Sequence, residues 1–399
     1  MALSRFSRVK LSGISVVVPE REISIYDELC YYGGNAKKVD RLRKMVGFHK
    51  RRVVEPNVTP ADLAQDAAEK LFSSMNLDKS AIDALIFVVQ YPDYVAPATA
   101  LYLHKKLGLS QSCMAFDVNL GCSGWVYGAQ LAHSMIESGA NKRVLLLVAD
   151  TSSVKIDIKD RVNAPLFGDA GSATIFECCE EAQEPTYFNL GSDGSGYDAI
   201  ITPAGGARLP LKYGEDYPAG YNDILTSPIV AENGFTTNLT RKYMDGMKVF
   251  NFTMTIVPRQ ILELMEYAGV SEPDIDALVL HQANKQIVES VCDAVGFPRE
   301  KASFSTFEKY GNQAGVSVPC AICDTLHDKI TSKGGVRILC SGFGIGLSWG
   351  SCIMRLSDVH STGVGLFTNA GEIPSREEVA NFWIKKIQTN SFNASVKLQ

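Results

Sequence analysis

Ile82-Asp83-Ala84-Leu85-Ile86-Phe87-Val88-Val89 returns as Ile275-Asp276-Ala277-Leu278-Val279-Leu280, an offset of 193 residues measured from Asp83 to Asp276. A helix-like pattern precedes each copy, over 61–75 and 257–268. The same offset carries Cys122 onto Gly315 in Gly311-Asn312-Gln313-Ala314-Gly315, a second small-residue turn ahead of a helix-like run. Arg143-Val144-Leu145-Leu146-Leu147 meets Arg337-Ile338-Leu339 at nearly the same spacing. Matched points at one spacing predict a duplicated fold. The strands 84–90, 144–149 and 277–280 are apolar throughout, as strands buried on both faces are. Two such units packed face to face give an α/β fold, a duplicated five-layer αβαβα architecture whose strand-end turns converge near a pseudo-twofold axis.

The duplication divides the chain. Residues 1–190 form a first half and 245–357 a second. Between them 191–244, rich in Gly, Pro, Tyr and Asp, reads as an insertion that caps the site. Residues 358–399 form an extension with one amphipathic helix, opened by a Ser375/Glu378 capping box, whose Phe382 and Trp383 suit docking. At 399 residues, 46% hydrophobic and 21% charged, the chain has the composition of a globular protein. A net charge of −5 without a long basic run argues against nucleic acid. The longest apolar runs have strand length, so no membrane span is expected. No signal-peptide core is present, which favours the cytoplasm. The ten cysteines show no zinc spacing, so no metal is expected and most read as buried reduced thiols.

Cys122 is singled out by context. Asp117-Val118-Asn119-Leu120-Gly121-Cys122-Ser123-Gly124-Trp125 places it where a strand gives way to a small-residue turn. Trp125, Val126, Ala129, Ala132 and Ile136 then repeat at helical steps. A thiol at a helix start meets unpaired N–H groups and the positive end of the dipole, so the thiolate is expected to be favoured. Small neighbours let a carbonyl approach the sulfur, as a thioester requires.

The second half supplies complementary groups. His281-Gln282-Ala283-Asn284 follows the buried strand directly, and the C-terminal end of a core strand faces a ligand crevice in α/β sheets. Asn312 lies in the turn matched to Cys122. His281 and Asn312 can both donate to a thioester oxygen as an enolate develops. Gly342-Phe343-Gly344-Ile345-Gly346 permits close backbone approach and, with a strand following it, is not a nucleotide loop.

These residues resemble the β-ketoacyl-acyl-carrier-protein synthase III family, of thiolase-like fold, over about residues 8–357. The matching segments are Val18-Pro19-Glu20, 46–52, 117–128, Phe167-Gly168-Asp169-Ala170-Gly171-Ser172-Ala173, 245–250, 281–284, Tyr310-Gly311-Asn312 and 342–350, in family order. The resemblance implies a catalytic Cys122, His281 and Asn312, with backbone N–H groups of Cys122 and Ile345 as the oxyanion hole. It implies acyl loading on Cys122, then decarboxylative Claisen condensation with a malonyl-thioester. Acyl-coenzyme A or acyl-carrier protein would be the partners, the phosphopantetheine thioesters being substrates rather than tightly bound cofactors. A homodimer is expected.

Among substrate-binding positions, Arg161 and Asn284 match the family's phosphate- and pantetheine-contacting residues. Arg41 and Met45 stand where the family commonly has a Trp and an Arg on the adenine, which opens the possibility of a donor other than free coenzyme A. Ala96 replaces an aromatic that crosses the dimer interface to close the acyl pocket, so a larger primer than acetyl is expected. The insertion and tail point to a specialised lipid or secondary-metabolite pathway. Two alternatives stand: an acyltransferase that makes an ester, amide or thioester without condensation, and a non-catalytic carrier-protein-binding subunit. No Glu matches the motif of hydroxymethylglutaryl synthases.

Overall fold

The computed structural model describes residues 2–161, 163–212, 217–230 and 236–389. Its strands are β1 (Ala2–Phe6), β2 (Val9–Pro19), β3 (Ala84–Val89), β4 (Met114–Val118), β5 (Arg143–Asp150), β6 (Ala170–Cys178), β7 (Thr186–Ser192), β8 (Ala277–Leu280), β9 (Val336–Gly344), β10 (Ser348–Leu356) and β11 (His360–Phe367), with short two- and three-residue pairs besides. The first sheet runs β11-β2-β6-β5-β3-β4 and the second β1-β7-β10-β9-β8. In each, a parallel pair (β3·β5, β8·β9) continues into antiparallel neighbours, so the two central pairs share one plan.

The main helices are α1 (Pro60–Met75), α2 (Thr99–Leu107), α3 (Gly124–Glu137), α4 (Gly246–Ala268), α5 (Lys285–Ala294), α6 (Ser317–Thr325) and α7 (Arg376–Gln388). Strand β5 shows how the layers form. Its Val144, Leu146 and Val148 enter the core shared with α3 and α6, while Leu145, Leu147 and Ala149 enter the core under α1 and α2. Side chains alternate across a strand, so a strand buried on both faces must be apolar at every position. Helices α4 and α5 cover the outer face of the second sheet. The five layers of the sequence reading are therefore present, with α3 and α6 between the sheets.

The matched turns meet. A Cβ added to Gly315 would stand 2.8 Å from the carbonyl oxygen of Gly121, so the backbones of the two halves touch there. Phe167 and Asn312 form a bridge between the halves as well.

Three features differ from the sequence reading. The division after residue 190 falls inside β7, a strand of the second sheet, so the repeat changes over earlier. Strand β1, at the start of the first half, pairs with β7 of the second sheet. Strand β11, inside the extension, pairs with β2 of the first. Each sheet thus takes an edge strand from the far side of the duplication. The tail helix α7 docks through its start: Arg376 donates to the carbonyl of Pro56 at 2.7 Å. The ring of Trp383 stands edge-on to Tyr94 at 6.3 Å, while Phe382, Ile384 and Ile387 stay exposed. No helix among the described residues is long and apolar enough to cross a membrane.

Candidate active site

Cys122, His281, Asn312, Asn284 and Ile345 line one pocket, which encloses about 700 Å³ counting its open mouth. Residues as far apart as Cys122 and Ile345, 223 positions, meet because β3 and β8 end at the same face and the two glycine turns abut.

Cys122 lies just before α3 and is 8% exposed. The loop after β9 presses on it. A Cβ at Gly344, whose φ is +154°, would stand 2.9 Å from both Cβ and Sγ of Cys122, so only glycine brings this backbone so close. The expected thiolate does not follow from the helix start. Burial pushes the thiol up to about 11, against the opposing pull of the Lys242 ammonium and of the backbone N–H groups of Ile345 and Cys122. Desolvation wins because the thiolate is charged and the thiol is not. The same two N–H groups are those expected to form the oxyanion hole.

His281 is 2% exposed. Its backbone N–H donates to Ser341 O at 2.7 Å, its ring stands edge-on to Phe343, and Nδ1 meets Ser317 Oγ at 2.5 Å. Burial lowers its pKa to about 3, so the ring is neutral at ordinary pH. Ser317 Oγ also accepts from Gln282 N–H at 3.3 Å, so its own hydroxyl proton is free to donate to Nδ1; in that tautomer Nε2 carries the proton and is the nitrogen left for a ligand. Ser317 opens α6, and the sequence reading missed it. Its signal was the match between the two helix starts, which aims the first residues of α6 at the same crevice.

Asn312 is held three ways. Its N–H donates to Leu166 O at 2.7 Å, its carbonyl accepts from Gly168 N–H at 3.0 Å, and Oδ1 accepts from Ala314 N–H at 2.9 Å. The side-chain oxygen being engaged, the Nδ2 amide is the end left for a ligand. Asn284 caps α5, its Oδ1 accepting from Ile287 N–H at 2.8 Å, which likewise leaves Nδ2. Arg161 is half-buried and does not line the pocket; its carbonyl accepts from Tyr32 Oη. Ala96 is exposed and is not brought into this chain's own pocket.

The segment 191–244 contributes Ile200, Lys242 and Met244 to the pocket wall. Lys242 was missed by sequence reading. It is 3% exposed, and its Nζ donates to Ser152 Oγ at 2.6 Å. The Nζ lies 4.7 Å from the Phe167 ring centre and 5.3 Å from that of Tyr91. Burial opposes its charge, yet Tyr91, Asp150 and Cys122 around it hold its pKa above the ordinary lysine value. Asp150 accepts from both Ser152 and Gln90, completing a buried polar chain beside the cysteine.

Known proteins resemble this chain over most of its length. Residues 116–194 match the family described as 3-Oxoacyl-[acyl-carrier-protein (ACP)] synthase III, and 265–356 match its C-terminal counterpart. A Campylobacter jejuni relative is 35% identical over 92% of this chain and 99% of its own length. The β-ketoacyl-[acyl-carrier-protein] synthase III of Chlamydia caviae is 36% identical over 77% of this chain and 86% of its own. The crystal structure of a 3-oxoacyl-(acyl-carrier protein) synthase from Burkholderia xenovorans superposes with a TM-score of 0.82 at 32% identity, covering 92% of this chain and 99% of that one.

Proposed function

This chain belongs to the 3-oxoacyl-[acyl-carrier-protein] synthase III family of condensing enzymes, and on that premise we propose that it loads an acyl group onto Cys122 and extends it with a malonyl-thioester. Sγ attacks the donor thioester carbonyl, the carrier thiol leaves, and the N–H groups of Cys122 and Ile345 hold the oxyanion. The malonyl carboxylate leaves as carbon dioxide. Its bonding pair passes into an enolate whose oxygen receives hydrogen bonds from His281 Nε2–H and Asn312 Nδ2–H. The carbanion attacks the acyl carbon, the C–S bond to Cys122 breaks, and a β-ketoacyl thioester departs. The sequence balances with thioesters alone and calls on no metal or redox group.

The neutral His281 carries this reading. A group with pKa about 3 is a poor base near pH 7 but a serviceable donor. Condensation needs the donor; transfer to an alcohol or amine needs the base. Asn284 Nδ2 is suited to the pantetheine arm, and Arg161 to phosphate outside the pocket. Carrier-protein or coenzyme A thioesters both fit that arrangement. The ten free cysteines, mostly buried, suit a reducing compartment such as the cytoplasm. Strand β4 ends the first sheet, and among the described residues nothing pairs with its outer side. An open edge of this kind favours pairing with its twin in a homodimer, which would also bring Ala96 toward a partner's pocket. The cap and tail favour a specialised lipid or secondary-metabolite pathway over general chain initiation.

The test is mass spectrometry of protein mixed with acyl-coenzyme A and acyl-carrier thioesters. An adduct on Cys122 that malonyl-thioester resolves with release of carbon dioxide is expected. Resolution only by an alcohol or amine would overturn condensation, and no adduct from any donor would overturn acyl loading.

A further inference from the structure

Lys242 makes no hydrogen bond in the condensation just described, although its charge draws the Cys122 thiol down. His281 and Asn312 serve the enolate, and two backbone N–H groups serve the acyl oxyanion. The Lys242 charge is balanced by Asp150 through Ser152, but a buried ammonium needs its N–H donors satisfied as well as its charge balanced. Among the described residues, no carboxylate comes within ion-pair distance of Nζ, and Ser152 Oγ is the one oxygen acceptor that it reaches. The remaining N–H donors meet the ring faces of Tyr91 and Phe167. The charge is held in place by the backbone as well, since Lys242 N–H donates to Lys155 O at 2.9 Å. This is a fixed, under-used donor beside the nucleophile.

The malonyl carboxylate is a poor match for it. A cation that binds the carboxylate stabilises the ground state and opposes loss of carbon dioxide. The group read by Lys242 must persist through the reaction, which places it on the acyl chain carried by Cys122. Charge narrows the choice further. Lys242 is linked through the Ser152 hydroxyl to Asp150, so the cation already has a balancing anion one hydrogen bond away. A neutral oxygen completes the ammonium's hydrogen bonding without adding charge, whereas a second carboxylate would leave the cluster net negative.

We propose that Lys242, set by Ser152 and Asp150, selects an acyl group that bears a hydroxyl or keto oxygen near the thioester. This inference rests on the acyl-loading reading above. The specificity is a property of the cap, because Lys242 comes from the segment that the duplication does not supply.

The experiment is a competition for Cys122 among butyryl, succinyl and 2-, 3- and 4-hydroxybutyryl thioesters, on whichever carrier loads the enzyme, read by intact-protein mass spectrometry. One hydroxybutyryl isomer is expected to load at least ~10-fold faster than butyryl, the size of discrimination that a buried polar donor imposes. K242M is expected to load every donor more slowly, because the charge that draws the Cys122 thiol down is gone, and to abolish or reverse the preference of the hydroxybutyryl isomer over butyryl. Equal loading of all donors, a preference for succinyl, or a hydroxyl preference that survives in K242M would each overturn the inference and leave acyl loading intact. Should K242M not fold, the wild-type competition decides alone. No adduct from any donor overturns the acyl-loading reading itself, and this inference with it.

Discussion

The two glycine turns at the centre of the molecule occupy equivalent places and carry opposite kinds of chemistry. Ahead of α3, the turn of the first half presents Cys122, the group suited to forming a covalent bond. Ahead of α6, the turn of the second half presents Asn312 and then Ser317, which engages His281. The first follows β4, the edge strand of its sheet, and the second follows the short helix Thr306–Tyr310, yet both open onto one pocket, so one scaffold positions a nucleophile and the donors that serve a different step. The difference teaches that duplication fixed where side chains converge, and substitution within each turn fixed what they do there.

The sharpest way to break that comparison is to remove the second half's donors. H281A and N312A should each lower condensation by ~10²–10³-fold, the usual effect of deleting one preorganised donor. Acyl loading, measured by mass spectrometry, should change little. A parallel loss of loading would show that the steps are not divided between the halves. The mechanical tie is tested by G168A. A Cβ there would lie 1.8 Å from the carbonyl oxygen of Tyr310, forcing apart the bridge that holds Asn312. Destabilisation of about 3 kcal/mol or more is expected, read as a fall in melting temperature.

Protonation separates the halves as well. Cys122 titrates near pH 11 and His281 near pH 3. Between pH 6 and 9 the thiolate fraction rises about tenfold per unit, so alkylation of Cys122 by iodoacetamide should climb throughout that range. His281 stays neutral over the same range, so condensation from preloaded enzyme should be flat. The same shift makes a stability prediction of definite sign. A histidine whose folded pKa lies below its unfolded value of about 6.5 contributes stability above that pH and loses it as pH falls toward the folded value. His281 and His133, the latter at about 4 through burial in α3, both weaken the fold on that acid side. The smallest effect is expected from S317A. Losing one hydrogen bond to the ring should cost about 1 kcal/mol, or ~5-fold in condensation, with loading unchanged.

The fold was legible where one physical demand governs a whole segment. Strands 84–89 and 277–280 are apolar at every position because both faces are buried, and the repeat at one spacing followed from that. Strand β11 was not legible. His360-Ser361-Thr362-Gly363-Val364-Gly365-Leu366-Phe367 sits at a sheet edge, half-buried, and edge positions place little demand on side-chain type. Strand β1 has the same character. Cys122, His281 and Asn312 could be found because each stands at a turn or strand end with a recognisable pattern. Lys242 had no such pattern. It lies in irregular chain, and its burial is set by Ser152, ninety residues away. The cysteine's titration went the other way from expectation for a related reason. A helix start is visible in sequence, but the second-half loop that seals the sulfur from water is a tertiary fact.

The exchanged edge strands bear on how the molecule assembles. Thr362 of β11 donates to Ser15 of β2, 347 positions earlier. A chain emerging from the ribosome therefore completes β2 and holds its outer edge unpaired while more than three hundred further residues are made. Contacts so distant in sequence slow folding and leave open strand edges exposed to aggregation. The last strand of the first sheet is synthesised after every strand of the second, so the first sheet cannot be complete before all of the second has been made. A nascent first half would present Cys122 without its sealing loop, its donors or its cap.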